Sequence, residues 1–268
     1  MATQLLFYSD AVPVTQQSHR DLSVKVGGTY GFARGVNSVP LTAVEFSAAA
    51  AHYPIVFAGN DDVVMPAAIL GVGESENLFI DSDGRWSAGK YIPAFVRRYP
   101  FVFSTSGDGK QFILNIDESF EGCNRDGVGE RLFDSSGSQT QFLRNVLNFL
   151  QEYQAHFRRT QLFCRRLKEL DLLQSMQAQF NLADGERRSL SGFQVINREK
   201  FKKLEDDTLK QMFQTDELEC AYLHLHSLRH FNDMIGRMAI PAAVPEAAAP
   251  PAATDDGGHG SANGASGA

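Results

Sequence analysis

The apolar period of the chain changes near residue 138, and that change limits the folds open to it. From there Phe142, Val146, Phe149, Tyr153 and Phe157 recur at spacings of four, three, four and four, the repeat of one buried helix face. Ser138 with Gln141 reads as the capping box of that helix. The helix is expected to run on, bent or broken, through Leu162, Phe163 and Leu167 to Leu173.

Before the change the pattern is that of strands and turns. Ile55-Val56-Phe57, Ala68-Ile69-Leu70-Gly71-Val72, Leu78-Phe79-Ile80, Phe101-Val102-Phe103 and Phe112-Ile113-Leu114-Asn115-Ile116 are short β-branched and aromatic runs. Gly59-Asn60-Asp61-Asp62, Asp83-Gly84 and Gly107-Asp108-Gly109 separate them with turn chemistry. A short helix is expected over 41–52, with Thr42 as cap and Glu45 three residues later. Another starts at Pro93 and stops before Pro100.

After the long helix, Phe180, the turn Asp184-Gly185 and the run Phe193 to Ile196 predict one more hairpin. Asn197, Asp207 and Thr215 are helix starts, and a last helix carries Leu218, Leu225, Leu228 and Ile235. Strands first and helices later make the fold α+β: an antiparallel sheet or barrel-like half, about 1–135, packed with a mainly helical half, about 138–238. The residues 239–268 hold four of the ten prolines, five glycines and almost no large apolar side chain. Such a segment buries too little surface to offset its ordering entropy and is expected to be a disordered tail.

Charge and composition exclude several functions. The 268 residues carry a net charge of −7, which disfavours wrapping of nucleic-acid phosphate. Apolar residues make up 43%, enough for a large core. The three cysteines, Cys123, Cys164 and Cys220, form no CxxC pair and read as buried free thiols of a reducing compartment. The start of the chain lacks the basic and apolar regions of a signal peptide. The apolar run at 63–73 contains Pro66 and is too short to span a bilayer. A cytoplasmic, soluble protein is expected.

Familiar catalytic motifs are missing. Gly71-Val72-Gly73 is followed by Glu76, so the dinucleotide fingerprint fails, and Ser106-Gly107-Asp108-Gly109-Lys110 lacks the Walker spacing. Asp81-Ser82-Asp83-Gly84 fails as a calcium loop, because Phe79 would stand at its first ligand position. No GxSxG is present. Asp117-Glu118 reads as a solvated strand end. His224, His226 and His230 are the weak metal candidates, with His226 and His230 on one helical face; a polar stripe beside the Leu218–Leu225–Leu228 face explains them as well. No metal or other cofactor is called for.

Two surfaces stand out for partners. From Arg144 to Glu169 six basic residues (Arg144, Arg158, Arg159, Arg165, Arg166, Lys168) face Glu152 and Glu169, which reads as a solvated basic helix face suited to an acidic protein. The stretch 76–101 is the densest aromatic and guanidinium cluster. Its Trp86, Tyr91, Arg97, Arg98 and Tyr99 are the candidate partner-binding residues, since Trp, Tyr and Arg carry interface energy. The same residues also fill ordinary cores.

That stretch, with others, resembles the bacterial SapC family. The matching residues are Asn37-Ser38-Val39-Pro40-Leu41-Thr42 with Glu45-Phe46, Tyr53-Pro54-Ile55-Val56-Phe57, Glu76-Asn77-Leu78-Phe79 and Gly84-Arg85-Trp86. The string Tyr91-Ile92-Pro93-Ala94-Phe95-Val96-Arg97-Arg98-Tyr99-Pro100-Phe101 is the most specific, and Phe149-Leu150-Gln151-Glu152-Tyr153-Gln154 adds to it. The resemblance covers roughly 13–238. It implies a link to a paracrystalline surface layer and the company of TonB-dependent outer-membrane receptors, halogenase-like proteins and cupin-like hydroxylases. It carries over no catalytic residues. A peptide-transporter permease of the same name is unrelated, and its membrane spans are missing here. The expected function is therefore a non-catalytic, protein- or peptide-binding accessory factor. The alternative is an enzyme, metal-dependent or not, that modifies a peptide or small molecule beside those companions.

Overall fold

The computed structural model describes residues 6–59, 63–107, 111–181 and 185–238. Its strands are β1 (Ala11–Pro13), β2 (Ser23–Val24), β3 (Ser38–Pro40), β4 (Ile55–Gly59), β5 (Val64–Ile69), β6 (Phe101–Thr105), β7 (Phe112–Asp117), β8 (Cys123–Asn124), β9 (Glu130–Arg131), β10 (Leu173–Asn181) and β11 (Arg187–Ile196). Its helices are α1 (Gln16–His19), α2 (Phe46–Ala49), α3 (Ala94–Arg97), α4 (Gln141–Glu169), α5 (Arg198–Phe201), α6 (Asp206–Gln214), α7 (Glu217–Ser227) and α8 (His230–Met238). The fold is α+β, and its sheets are antiparallel and open. Five strands pair in the order β10-β11-β4-β5-β3, three as β1-β7-β6 and three as β8-β2-β9.

Ile55-Val56-Phe57 reads as an unbroken apolar run because β4 is covered on both faces. Ile55 and Phe57 pack with Phe163, Cys164 and Leu167 of α4, while Val56 packs with Phe231 and Met234 of α8. Alternate side chains of a strand point to opposite faces, so both sides of this sheet are core. Gly59 ends β4 at φ +144°; a Cβ there would lie 2.0 Å from the Val63 carbonyl oxygen.

Helix α4 spans 29 residues without Pro or Gly and is unbroken. At 1.5 Å per residue it is about 44 Å long. Its first half buries Leu143 and Leu150 against β2, β6 and β7, and its second half buries Tyr153, Phe163 and Leu167 under the five-stranded sheet. One helix thus joins two apolar clusters. Thr140, rather than Ser138, caps it by accepting from Leu143 N at 3.2 Å. It stops at Glu169 instead of reaching Leu173: Leu172 N donates to Leu167 O and Asp171 N to Lys168 O, with Asp171 at φ +50°. That is the Schellman ending, here with Asp in the place glycine usually takes.

The hairpin expected near 180–196 forms as β10–β11, and Phe193 and Gln194 pair with Ala58 and Phe57 of β4. The two halves of the chain therefore share one sheet. Opposite Gln177 stand two residues of β11, Ser191 and Gly192, which makes a bulge, with Gly192 at φ +81°. The Leu78–Ile80 strand shrinks to a single bridge between Ile80 and Trp86, closed by Asp81 Oδ1 accepting from Asp83 N and Arg85 N.

The single last helix divides into α7 and α8. Ser227 Oγ donates to His224 O at 2.7 Å, occupying the carbonyl that would have continued the ladder, and it accepts from Ile55 N at 2.9 Å. Asn197 caps α5 as expected. By contrast α6 starts after Glu205 and α7 after Asp216, so Asp207 falls inside α6 and Thr215 closes it. No helix among the described residues is long and apolar enough to cross a membrane. The turn residues 60–62, 108–110 and 182–184 and the segment 239–268 lie outside the described residues.

Candidate functional site

The capping box read at Thr42 and Glu45 turns out to organise the aromatic cluster. Glu45 is buried, and its Oε2 accepts from Thr42 N at 2.8 Å and Thr42 Oγ1 at 2.9 Å. Its Oε1 accepts from Ala94 N at 2.7 Å, at the start of α3, and from the Tyr91 hydroxyl at 2.9 Å. Four donors satisfy a buried carboxylate and tie the start of α3 to the turn that leads from Thr42 into α2. Sequence spacing showed the Thr42 half of this arrangement; the half from Tyr91 and Ala94 had no local signal.

Trp86, Tyr91 and Arg97 lie on one connected line. The Trp86 indole N–H donates to the Tyr53 hydroxyl at 2.9 Å, and that hydroxyl donates to the Tyr91 carbonyl. Burial raises the Tyr53 hydroxyl well above its ordinary value; burial and then Glu45 push Tyr91 up to about 12. Trp86 is buried, Tyr91 half-buried and Arg97 exposed. The Arg97 guanidinium is nevertheless held: Nε donates to Ile92 O at 3.0 Å, Nη2 to the Tyr91 hydroxyl at 3.4 Å, and Cζ lies 5.8 Å and 5.4 Å from the Tyr91 and Phe149 ring centres.

Arg98 and Tyr99 turn away from this line, because neighbouring residues of a one-turn helix diverge by about 100°. Arg98 is buried with its Cζ 4.0 Å from the Phe95 ring centre and 5.3 Å from that of Tyr153. Tyr99 is buried against Phe32, Tyr8 and Phe120, and its hydroxyl faces Asp117 Oδ2 at 3.4 Å. The five sequence candidates therefore divide into a group that reaches the surface at Arg97 and a pair inside the seam between the two clusters.

Asp117, expected as a solvated strand end, is fully buried. It accepts from Ser9 N, Asp10 N, Ser119 N and Ser119 Oγ as well as facing Tyr99. Burial alone would raise its pKa, but the hydrogen bonds from Ser119, Ser9 and Asp10 outweigh it and carry the carboxyl below its ordinary value.

The histidines separate. His224 is in the core, where Nε2 accepts from Ile196 N at 3.0 Å and Nδ1–H donates to Ile55 O at 2.9 Å; burial holds its pKa down at about 4. His226 is exposed on α7, and His230 belongs to α8, with its ring nitrogens 2.7 Å from Asp233 Oδ2 and 2.9 Å from Ala50 O. The helix break removes the shared face on which His226 and His230 would have met. Among the described residues no group of three or more His, Cys, Asp or Glu side chains comes together as a metal cage. On the basic face of α4, Arg159 pairs with Asp216 and Arg166 with Glu217, each at 3.0 Å.

A cavity of about 630 Å³ lies apart from these groups, against β10, β11 and the end of α4. Phe57, Val64, Leu173 and Met176 give it an apolar floor, and its ionisable lining residues are Lys168 and Asp171. Among known families, the SapC description matches residues 14–234. No curated protein and no solved structure matches the chain.

Proposed function

The chain belongs to the SapC family, and on that premise we propose that it is a non-catalytic, protein-binding accessory factor of a bacterial surface-layer or outer-membrane receptor system, with Arg97 at the centre of the surface it offers. The supporting observation is the state of Arg97 itself. Its guanidinium is exposed, yet it is fixed by Ile92 and Tyr91 and lies within cation–π range of two rings. No carboxylate lies within ion-pair distance of it among the described residues.

An arginine ordered before its partner arrives loses less freedom on binding, and its unused N–H groups suit a carboxylate fork. Trp86, Tyr53 and Glu45 below form the rigid support such an anchor needs. Arg98 and Tyr99 serve the same surface from inside by fixing the end of α3 against Tyr153, Tyr8 and Phe32.

The test is affinity capture from the native cell with the full chain and with Arg97→Glu. A defined surface or outer-membrane protein retained by the first and lost with the second is the expected result. Recovery of the same proteins by both, at equal yield, removes Arg97 from the interface.

A further inference from the structure

The five-stranded sheet ends very differently on its two sides. Edge strand β3 is three residues long and includes Pro40, which is how natural sheets close an edge to further pairing. At the other side β10 runs nine residues, Leu-Gln-Ser-Met-Gln-Ala-Gln-Phe-Asn, without a charge or a proline. Gln174, Ser175, Met176, Gln177 and Gln179 are exposed on it, and β11 is its sole strand neighbour among the described residues. An edge of that length with no charged guard has the form that accepts another strand.

The cavity of about 630 Å³ opens beside this edge, lined by Leu173, Ser175, Met176 and Gln177 of β10 itself. A strand laid along β10 directs every second side chain to that face of the sheet, where the apolar floor can receive it.

Charge selects the occupant. Residues 158–203, which supply the end of α4, the hairpin and α5, include 11 basic and 5 acidic side chains in a chain whose net charge is −7. Arg188 is held by Glu186 and Glu76, and Lys200 by Asp171. Arg187, Arg198 and Lys203 are exposed and have no ion pair among the described residues. Arg187 stands opposite Asn181 at the far end of β10, and Arg198 and Lys203 follow Ile196, the partner of Leu173 at the near end. A second copy of the chain would bring this charge against itself, whereas an acidic strand complements it.

We propose that the free edge of β10 takes up an extended, acidic segment of a partner protein as a sixth strand, with alternate side chains of that segment in the adjoining cavity. This surface is separate from the Arg97 surface and goes beyond it.

Two fluorescent peptides matched in length to β10, one alternating Val with Glu and one alternating Val with Lys, test the assignment by anisotropy with the full chain at low salt. Hydrogen exchange of the β10 amides is followed in the same samples. The Val–Glu peptide should bind and slow exchange across residues 173–181, and the Val–Lys peptide should bind at least about tenfold more weakly. Gln177→Glu with Gln179→Glu changes only exposed positions; it should leave the circular dichroism spectrum unaltered and weaken the Val–Glu peptide by about tenfold. Equal affinity for both peptides, binding without protection of β10, no binding at all, or β10 amides already protected in a sedimenting dimer overturns the proposal. Arg97→Glu should leave peptide binding intact. A failure at β10 is thus distinct from a failure of the Arg97 surface in affinity capture.

Discussion

Ile196 donates its backbone N–H to Nε2 of His224 at 3.0 Å, so an imidazole stands in a buried position where two strand ends would otherwise leave polar groups unmatched. The opposite nitrogen serves Ile55 O. The arrangement fixes the neutral ring with its proton on Nδ1, because a proton on Nε2 would point at another N–H.

Acid should therefore loosen the fold through His224. Its folded pKa of about 4 lies below the ordinary 6.5, so the unfolded chain binds more protons between those values. The contribution is fully present above about pH 6.5 and is lost as pH falls towards 4, amounting to about 3 kcal/mol. Urea unfolding measured from pH 4 to 8 should show this slope, and His224→Leu should flatten it while lowering stability throughout. Asp117 acts in the same direction, but its window lies below the ordinary carboxylate value and does not overlap.

Glu45→Gln should destabilise the chain by about 2 kcal/mol or more, since an amide NH2 would replace an acceptor among four donors and leave buried partners unmatched. The midpoint of denaturant unfolding at neutral pH checks it. A fall of under about 0.5 kcal/mol, within the range of ordinary surface substitutions, would mean that the four bonds are not what holds α3 in place.

Arg97→Ala and Arg98→Ala, one residue apart, should behave oppositely. The exposed Arg97 should shift stability by no more than about 0.5 kcal/mol and affect partner capture. The buried Arg98 stacks on Phe95 and should cost several-fold more stability, about 2–3 kcal/mol, through lost packing and hydrogen bonding. Thermal unfolding of the two variants side by side decides it.

Tyr53→Phe removes the acceptor of the Trp86 indole and the donor to the Tyr91 carbonyl. A loss of about 1–3 kcal/mol is expected from the two buried groups left without partners. Trp86 is the single tryptophan, so its emission reports both the local change in the folded protein and the global transition.

Thiol reagents should react slowly at neutral pH. Burial raises Cys123 and Cys220 to about 11 and Cys164 to about 12, leaving little thiolate, which is the reactive form. Mass-spectrometric labelling with iodoacetamide should proceed quickly only after denaturant is added; rapid labelling of Cys164 in the folded protein would contradict its burial.

Periodicity and turn chemistry made the local elements legible. The spacing of Phe142 to Phe157 marked α4, the Ile55-Val56-Phe57 run marked a strand, and Thr42 with Glu45 marked a helix start. Contacts between distant residues left no such trace. A carboxylate at a strand end looks the same whether water meets it or, as at Asp117, the N–H groups of Ser9 and Asp10 do. The break after Ser227 depends on a hydroxyl shared with Ile55, far away in the chain. Of the candidate surface, residue types picked out the cluster, but only packing could separate Arg97 from Arg98. The edge of β10 was hidden because an uncharged strand becomes an open edge only once its neighbours are known.

Strand β4 must wait for its second neighbour. Phe57 pairs with Gln194, so during synthesis at roughly 5–20 residues per second the strand exists for about 7–27 s before the residues that flank it are made. Throughout that interval an Ile-Val-Phe strand is bare along one side. A ribosome-bound helper, or a binding partner already at hand, would find this side before the chain's own hairpin arrives, which makes the order of translation part of how the sheet is completed.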